Sequence, residues 1–207
     1  MKNITIIDCG IGNRVSIKNM LQAGNANPTI SSNADKILSA DIIMLPGVGA
    51  FDAFMESLIE KNLLVVLESA VLKRKIPILG ICLGMQVLFE SSAEGNLKGL
   101  GWIKGRVEPL RDLFVEKETV KFPHIGWKQV KVVPDGFISK ENKFYFVHNY
   151  FCKPKDANII AGSISIDDQP ITVAVQHGNI YGVQFHPEKS HKYGLEFFKK
   201  FIQYVTL

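Results

Sequence analysis

One stretch near the middle of the chain, Ile76-Pro-Ile-Leu-Gly-Ile-Cys82-Leu-Gly-Met-Gln-Val-Leu-Phe89, constrains the fold more than any other. Its first half is apolar without alternation, as in a strand buried on both faces of a parallel sheet. Gly80 and Gly84 flank Cys82 symmetrically, where side chains would collide if the backbone reversed. The spacing predicts a strand running into Cys82, a sharp elbow, and an exit as an amphipathic helix. Such an elbow lifts the sulfur above the sheet edge at a helix N-terminus, whose orphan N–H groups favour thiolate over thiol. The Leu83 amide would then donate to a developing oxyanion. The same residues also suit a small core cysteine in a buried strand.

Gly182-Val-Gln-Phe-His186-Pro-Glu188-Lys-Ser190 shifts the balance toward a nucleophile. An apolar strand ends in His186, and Glu188 follows across a proline. A nucleophilic cysteine needs a base to take and return protons, and the base needs a group to hold its tautomer. His-Pro-Glu supplies both from one rigid turn.

The 207 residues fit one large domain or two small ones, and residues 1–207 read most economically as a single domain. A net charge of +4 comes from scattered lysines, as in Lys73-Arg74-Lys75 and Lys199-Lys200, so no nucleic-acid partner is expected. Cys9, Cys82 and Cys152 are odd in number and far apart, against a disulfide framework. The chain enters a strand almost at once without a signal-peptide core, and no apolar run is long enough for a membrane span. A cytoplasmic location with no membrane contact is expected.

The first half alternates strand and helix. Strands are predicted over 4–8 and 41–45, with helices from the Gly10-Ile-Gly12-Asn13 turn to 23, over 50–61 and over 63–75. The second half is richer in strands: 119–133, 144–151, 159–166, 171–176 and 180–186, with a hairpin at His177-Gly178-Asn179 and a closing helix over 193–205. The fold class is therefore α/β, an open, mostly parallel but mixed sheet with helices on both faces. In such a sheet the site lies in loops at strand ends. Pro46-Gly47-Val48-Gly49 is then a candidate second oxyanion donor, although a plain tight turn reads equally well. Gly10-Ile-Gly12 lacks the third glycine and acidic partner of a dinucleotide site. His124, His148, His177 and His191 show no metal-ligand spacing and read as structural or interface residues. Neither metal nor cofactor is expected.

Several motifs together carry a family resemblance: Asp8-Cys-Gly-Ile-Gly-Asn13, Pro46-Gly-Val-Gly-Ala-Phe51, Leu79-Gly-Ile-Cys-Leu-Gly-Met-Gln86, Gly99-Leu-Gly-Trp102, Pro123-His-Ile-Gly-Trp127, Phe146-Val-His-Asn-Tyr150 and the His186 segment. Nearly end to end, the chain resembles the triad-type, class I glutamine amidotransferases. Within them it resembles the glutaminase subunits of imidazole glycerol phosphate synthase. The resemblance implies that Cys82 attacks the side-chain amide of glutamine, with His186 as base and Glu188 orienting it. The oxyanion would sit between Leu83 and the Gly47, Val48, Gly49 loop. Gln86 and Glu94 would hold the amino-acid end of glutamine, aided by the backbone around Asn149 and Tyr150.

The resemblance further implies a heterodimer with a (β/α)₈-barrel synthase (cyclase) subunit that receives ammonia through a sealed interface, faced by Asn13, Trp127 and Lys189. That partner's reaction makes imidazole glycerol phosphate and the aminoimidazole-carboxamide ribotide of histidine biosynthesis. Arg14, Lys128 and Cys9 depart from the family's usual residues. Two alternatives stand beside this reading: a paralogue feeding ammonia to a sugar amidotransferase, and a non-catalytic domain of the same fold.

Overall fold

The computed structural model describes residues 2–114, 120–134, 136–140 and 142–206. In chain order the first half contains β1 (Asn3–Ile7), α1 (Arg14–Ala23), β2 (Asn27–Ser31), α2 (Ala34–Leu38), β3 (Ile42–Gly47), α3 (Phe51–Glu60), α4 (Leu63–Glu68), β4 (Ile78–Cys82) and α5 (Leu83–Gln86). Then follow β5 (Phe89–Ser92), β6 (Ile103–Pro109), β7 (His124–Gln129), β8 (Lys131–Val132), β9 (Lys143–His148) and β10 (Tyr150–Pro154). The chain closes with β11 (Ile160–Ile166), β12 (Gln169–His177), β13 (Ile180–Val183) and α6 (His191–Val205).

The central sheet has the order β2-β1-β3-β4-β13-β12-β11-β8. Its pairs are parallel from β2 through to β13 and antiparallel beyond. This is the mixed, mostly parallel sheet expected from the sequence. The β1, β3 and β4 strands are apolar on both faces because each face is covered. Ile4, Ile6, Ile42, Met44, Leu79 and Ile81 join a core with Ile17 and Leu21 of α1 and Phe197, Phe198 and Phe201 of α6. The alternate residues Ile7, Ile43, Leu45 and Ile78 join a second core with Phe54 and Leu58 of α3 and Leu67 of α4. The period of two along each strand sorts its side chains between these cores.

Several expected elements differ. The helix predicted over 63–75 is α4 followed by a π-helical turn over Ser69–Lys73. The strand predicted over 144–151 breaks at Asn149 into β9, which pairs with β7, and β10, which pairs with β6. The strand predicted over 119–133 is β7 and β8, and Thr119 lies outside the described residues. Expected to reach His186, β13 ends at Val183, and the chain then leaves the sheet so that the His186 amide bonds Tyr145 O at 2.9 Å. The sequence reading missed β2, whose Pro28 hides a strand signal but is tolerated because β2 is an edge strand.

Candidate active site

Parallel strands bring their C-terminal ends to one edge of the sheet, and the site is built there. Register places Gly47 of β3 beside Cys82 of β4, and Ile81 beside Val183 of β13. His186 therefore arrives next to Cys82 although it is far away in sequence.

Cys82 has φ 56° and ψ −113°. A non-glycine residue held there costs of order 1–3 kcal/mol and persists only where its surroundings over-determine it. The two glycines supply that constraint. A Cβ on Gly84 would lie 1.8 Å from Leu45 O, and one on Gly80 would lie 2.4 Å from Gly84 O. The amphipathic helix expected after the elbow is instead the single turn α5. Residues 81–89 are all buried, so no polar face can form, and the chain turns at Val87 and Leu88 into β5.

His186 and Glu188 are joined by a 2.8 Å hydrogen bond between Nδ1 and Oε1, with both side chains only 2% exposed. The turn that carries them is held in place by Ser190, whose Oγ donates to His186 O at 2.7 Å and accepts from Tyr145 N at 3.0 Å. Burial pulls the His186 pKa down, but Cys82 and Glu188 together overturn that and raise it to about 9. Nδ1–H is committed to Glu188, which leaves Nε2 for the sulfur. Nε2 has no partner of ordinary hydrogen-bond geometry, yet the Cys82 sulfur lies close enough to raise the His186 pKa.

Above the elbow opens a cavity of about 410 Å³. Cys82, Leu83, Val48 and Gly49 are among the residues that line it, as are Gln86, Glu94, Asn149, Tyr150 and Lys189. Gln86 Nε2 is spent on Gln184 Oε1 at 3.0 Å and, at 3.5 Å, on Tyr150 O, so what it can offer a ligand is its carbonyl oxygen. Glu94 Oε2 accepts from Phe51 N at 3.0 Å; burial raises its pKa, and the Asp52 charge adds to the effect against that bond. A half-buried carboxylate facing a cavity is suited to an ammonium group.

The structure leaves Gly47, Asn13 and Trp127 outside the cavity lining. Asn13 immediately precedes α1, next to Gly12, which packs against Pro46 O at the start of the 46–49 segment. Trp127 is 42% exposed and stacks on His191 at 5.7 Å; its edge meets Tyr145, over which Lys189 lies at 5.8 Å.

Two residues of the site escaped the sequence reading. His148, taken as structural, lines the cavity and bonds His124 Nδ1 through its Nε2 at 3.2 Å. Its signal was the alternation in β9 that puts Phe144, Phe146 and His148 on one buried face. Gln184, fully buried, was visible as a polar residue inside an apolar strand.

The profile of class-I glutamine amidotransferases matches residues 5–204. The chain belongs to that family. Among its relatives, this amidotransferase is 41% identical over 206 residues to imidazole glycerol phosphate synthase subunit HisH 2 of Pseudomonas aeruginosa, covering 98% of this chain and 100% of that one. It is also 41% identical to the HisH subunit of Bdellovibrio bacteriovorus, over 96% and 98% of the two chains. The amidotransferase fold is likewise that of a crystal structure of a glutamine amidotransferase, with TM-score 0.76 and 14% identity over 99% of each chain. PurLQS from Thermotoga maritima matches with TM-score 0.74 and 18% identity, over 100% and 98% of the chains.

Proposed function

We propose that this chain is the glutaminase subunit of an imidazole glycerol phosphate synthase, working as one unit along its whole length. The observation that carries the reading is the convergence at one sheet edge of a left-handed Cys82 and a buried His186–Glu188 pair bonded at 2.8 Å. Full-length similarity to HisH subunits supports the pathway.

Cys82 Sγ attacks the side-chain carbonyl carbon of glutamine, and His186 Nε2 takes the thiol proton. The tetrahedral oxyanion is held by the Leu83 amide and by an amide of the Gly47, Val48, Gly49 loop. Collapse expels ammonia, protonated by His186, and leaves a glutamyl thioester. Water, deprotonated by His186, then releases glutamate and restores the thiol, while Glu188 keeps the imidazole in one tautomer. Gln86 through its carbonyl oxygen and Glu94 through its carboxylate receive the substrate ammonium, and the backbone at Asn149 and Tyr150 closes the other side.

Ammonia released into bulk water becomes ammonium and is lost as a nucleophile, so the product calls for a docked acceptor. A (β/α)₈-barrel synthase subunit fits this role, meeting the edge that carries Asn13, Trp127 and Lys189. Glutamate release is to be measured with and without the histidine-pathway barrel subunit and its ribotide substrate. Strong stimulation that vanishes in Cys82→Ala supports the reading. An absent complex, with Cys82 still alkylated by a glutamine-analogue electrophile, moves the acceptor to another synthase such as a sugar amidotransferase.

A further inference from the structure

Gln184 has no part in the reaction just described, yet it is fully buried, with 0% of its surface exposed, shortly before His186. Burying a primary amide is unfavourable unless its N–H and carbonyl groups find partners. Gln184 Nε2 donates to Cys82 Sγ at 3.5 Å, and Gln184 Oε1 accepts from Gln86 Nε2 at 3.0 Å. Gln86 Nε2 also reaches the main-chain carbonyl of Tyr150 at 3.5 Å.

That carbonyl sets the polarity of the series. It can only accept, and no side-chain rotation exchanges it for a donor, so Gln86 turns its NH₂ toward it. The same NH₂ faces Gln184, which answers with its oxygen and is left with its own NH₂ toward the sulfur. Turning Gln184 alone would set two amide nitrogens against each other and leave buried donors unpaired. His148 Nδ1 bonds Tyr150 O at 2.8 Å and holds the end of the series in place.

We propose that Gln184 is a positioning residue for the nucleophile: Gln86 and Tyr150 lock its orientation, and its amide N–H fixes Cys82 Sγ as an acceptor and stabilises the thiolate. The proposal rests on the assignment of Cys82 as nucleophile and deepens it. It also gives Gln86 two functions, since the nitrogen serves the relay while the carbonyl oxygen serves the cavity. The titratable groups around the sulfur are His186 beyond β13, whose pKa Cys82 helps to raise, and Cys152 from β10, whose thiol is pushed up by burial and by the Cys82 charge; the His186 charge in turn lowers His148. A neutral amide adds no titration of its own, so its removal moves the thiolate profile without creating a new inflection.

The test is the pH dependence of Cys82 alkylation by iodoacetamide on the full chain, beside kcat and KM for glutamine in the chain's complex with the barrel subunit and ribotide substrate. In Gln184→Met, which keeps the volume and removes both bonds, the alkylation midpoint moves up by about one to two pH units. kcat falls roughly ten- to a hundredfold and KM changes little. Gln184→Glu keeps an acceptor for Gln86 but sets a carboxyl against the sulfur, and its midpoint also rises. An unmoved midpoint in whichever of the two variants folds, whatever its melting temperature, reduces Gln184 to packing and overturns the proposal. A wild-type chain that shows the thiolate profile but releases no glutamate, even with the barrel subunit and its ribotide substrate present, overturns the functional reading instead.

Discussion

His148 is a buried histidine beside the proposed catalytic base His186, and the two are tuned in opposite directions. Burial, with the His124 and His186 charges adding to it, brings the His148 pKa down to about 4 despite its bond to Tyr150 O, whereas His186 is held up at about 9. A histidine depressed in the fold takes up its proton first in the unfolded chain. Its contribution to stability is therefore whole above its ordinary value of 6.5 and is lost as pH falls toward 4. The full loss is about 3 kcal/mol. His124, also lowered by burial, adds to it, while Glu94, raised by burial, works against it. The informative quantity is thus a difference between chains. In urea unfolding at neutral pH and near about pH 5, the wild type loses more stability than His148→Gln; equal losses would mean that His148 is not the group being protonated. His186 runs the other way, since the stability from its Cys82 and Glu188 partners is complete below 6.5 and lost as pH rises through about 9.

At the scale of elements, the elbow between β4 and α5 is where backbone and chemistry depend most closely on each other. A methyl group on Gly84 has nowhere to go, since Leu45 O lies 1.8 Å from its position. Gly84→Ala is expected to destabilise the fold by more than about 2 kcal/mol and to abolish glutamine turnover. Gly178 in the β12–β13 hairpin has φ +58° but open space around it. There alanine pays only for the left-handed backbone, about 1–2 kcal/mol, and activity survives. Chemical denaturation and glutamate release on both variants check the contrast; similar losses at the two sites would mean that space at the elbow is not the constraint. The elbow was readable in sequence because glycine spacing and apolar strands are local signals. The parallel pairing of the first-half strands was readable through their βα rhythm. What was not readable was set by tertiary contacts. The one-turn length of α5 follows from burial on every side, and the departure of the chain from the sheet after Val183 follows from the Tyr145 bridge. The Gln86–Gln184–Cys82 relay joins residues about a hundred positions apart, and no spacing rule announces it.

At the scale of the whole molecule, apolar side chains stand exposed around the site edge. Ile125 and Trp127 alternate on the outer face of β7, 58% and 42% exposed, Phe122 precedes them, and Val48 stands at the cavity mouth. Exposed apolar residues gathered around a polar cavity mark a surface that is covered in use. Charge behaves consistently there. Arg14, the unusual cation beside Asn13, is ion-paired with Asp8 of the same chain, so a partner need not supply its counter-charge. Among these residues Trp127 has the anchoring geometry, a large ring fixed between His191 and Tyr145 and next to Lys189 at the cavity. Tryptophans held in this way are typical interface hot spots, worth about 2 kcal/mol or more when truncated. Trp127→Ala is therefore expected to weaken binding of the proposed barrel subunit by roughly thirtyfold or more in titration calorimetry. Val65, 74% exposed on α4 in the helical layer away from α1 and α6, provides the control, and Val65→Ala should bind as the wild type does. Unchanged binding by Trp127→Ala, or an equal loss in both variants, would place the synthase on another face and separate the exposed ring from ammonia transfer.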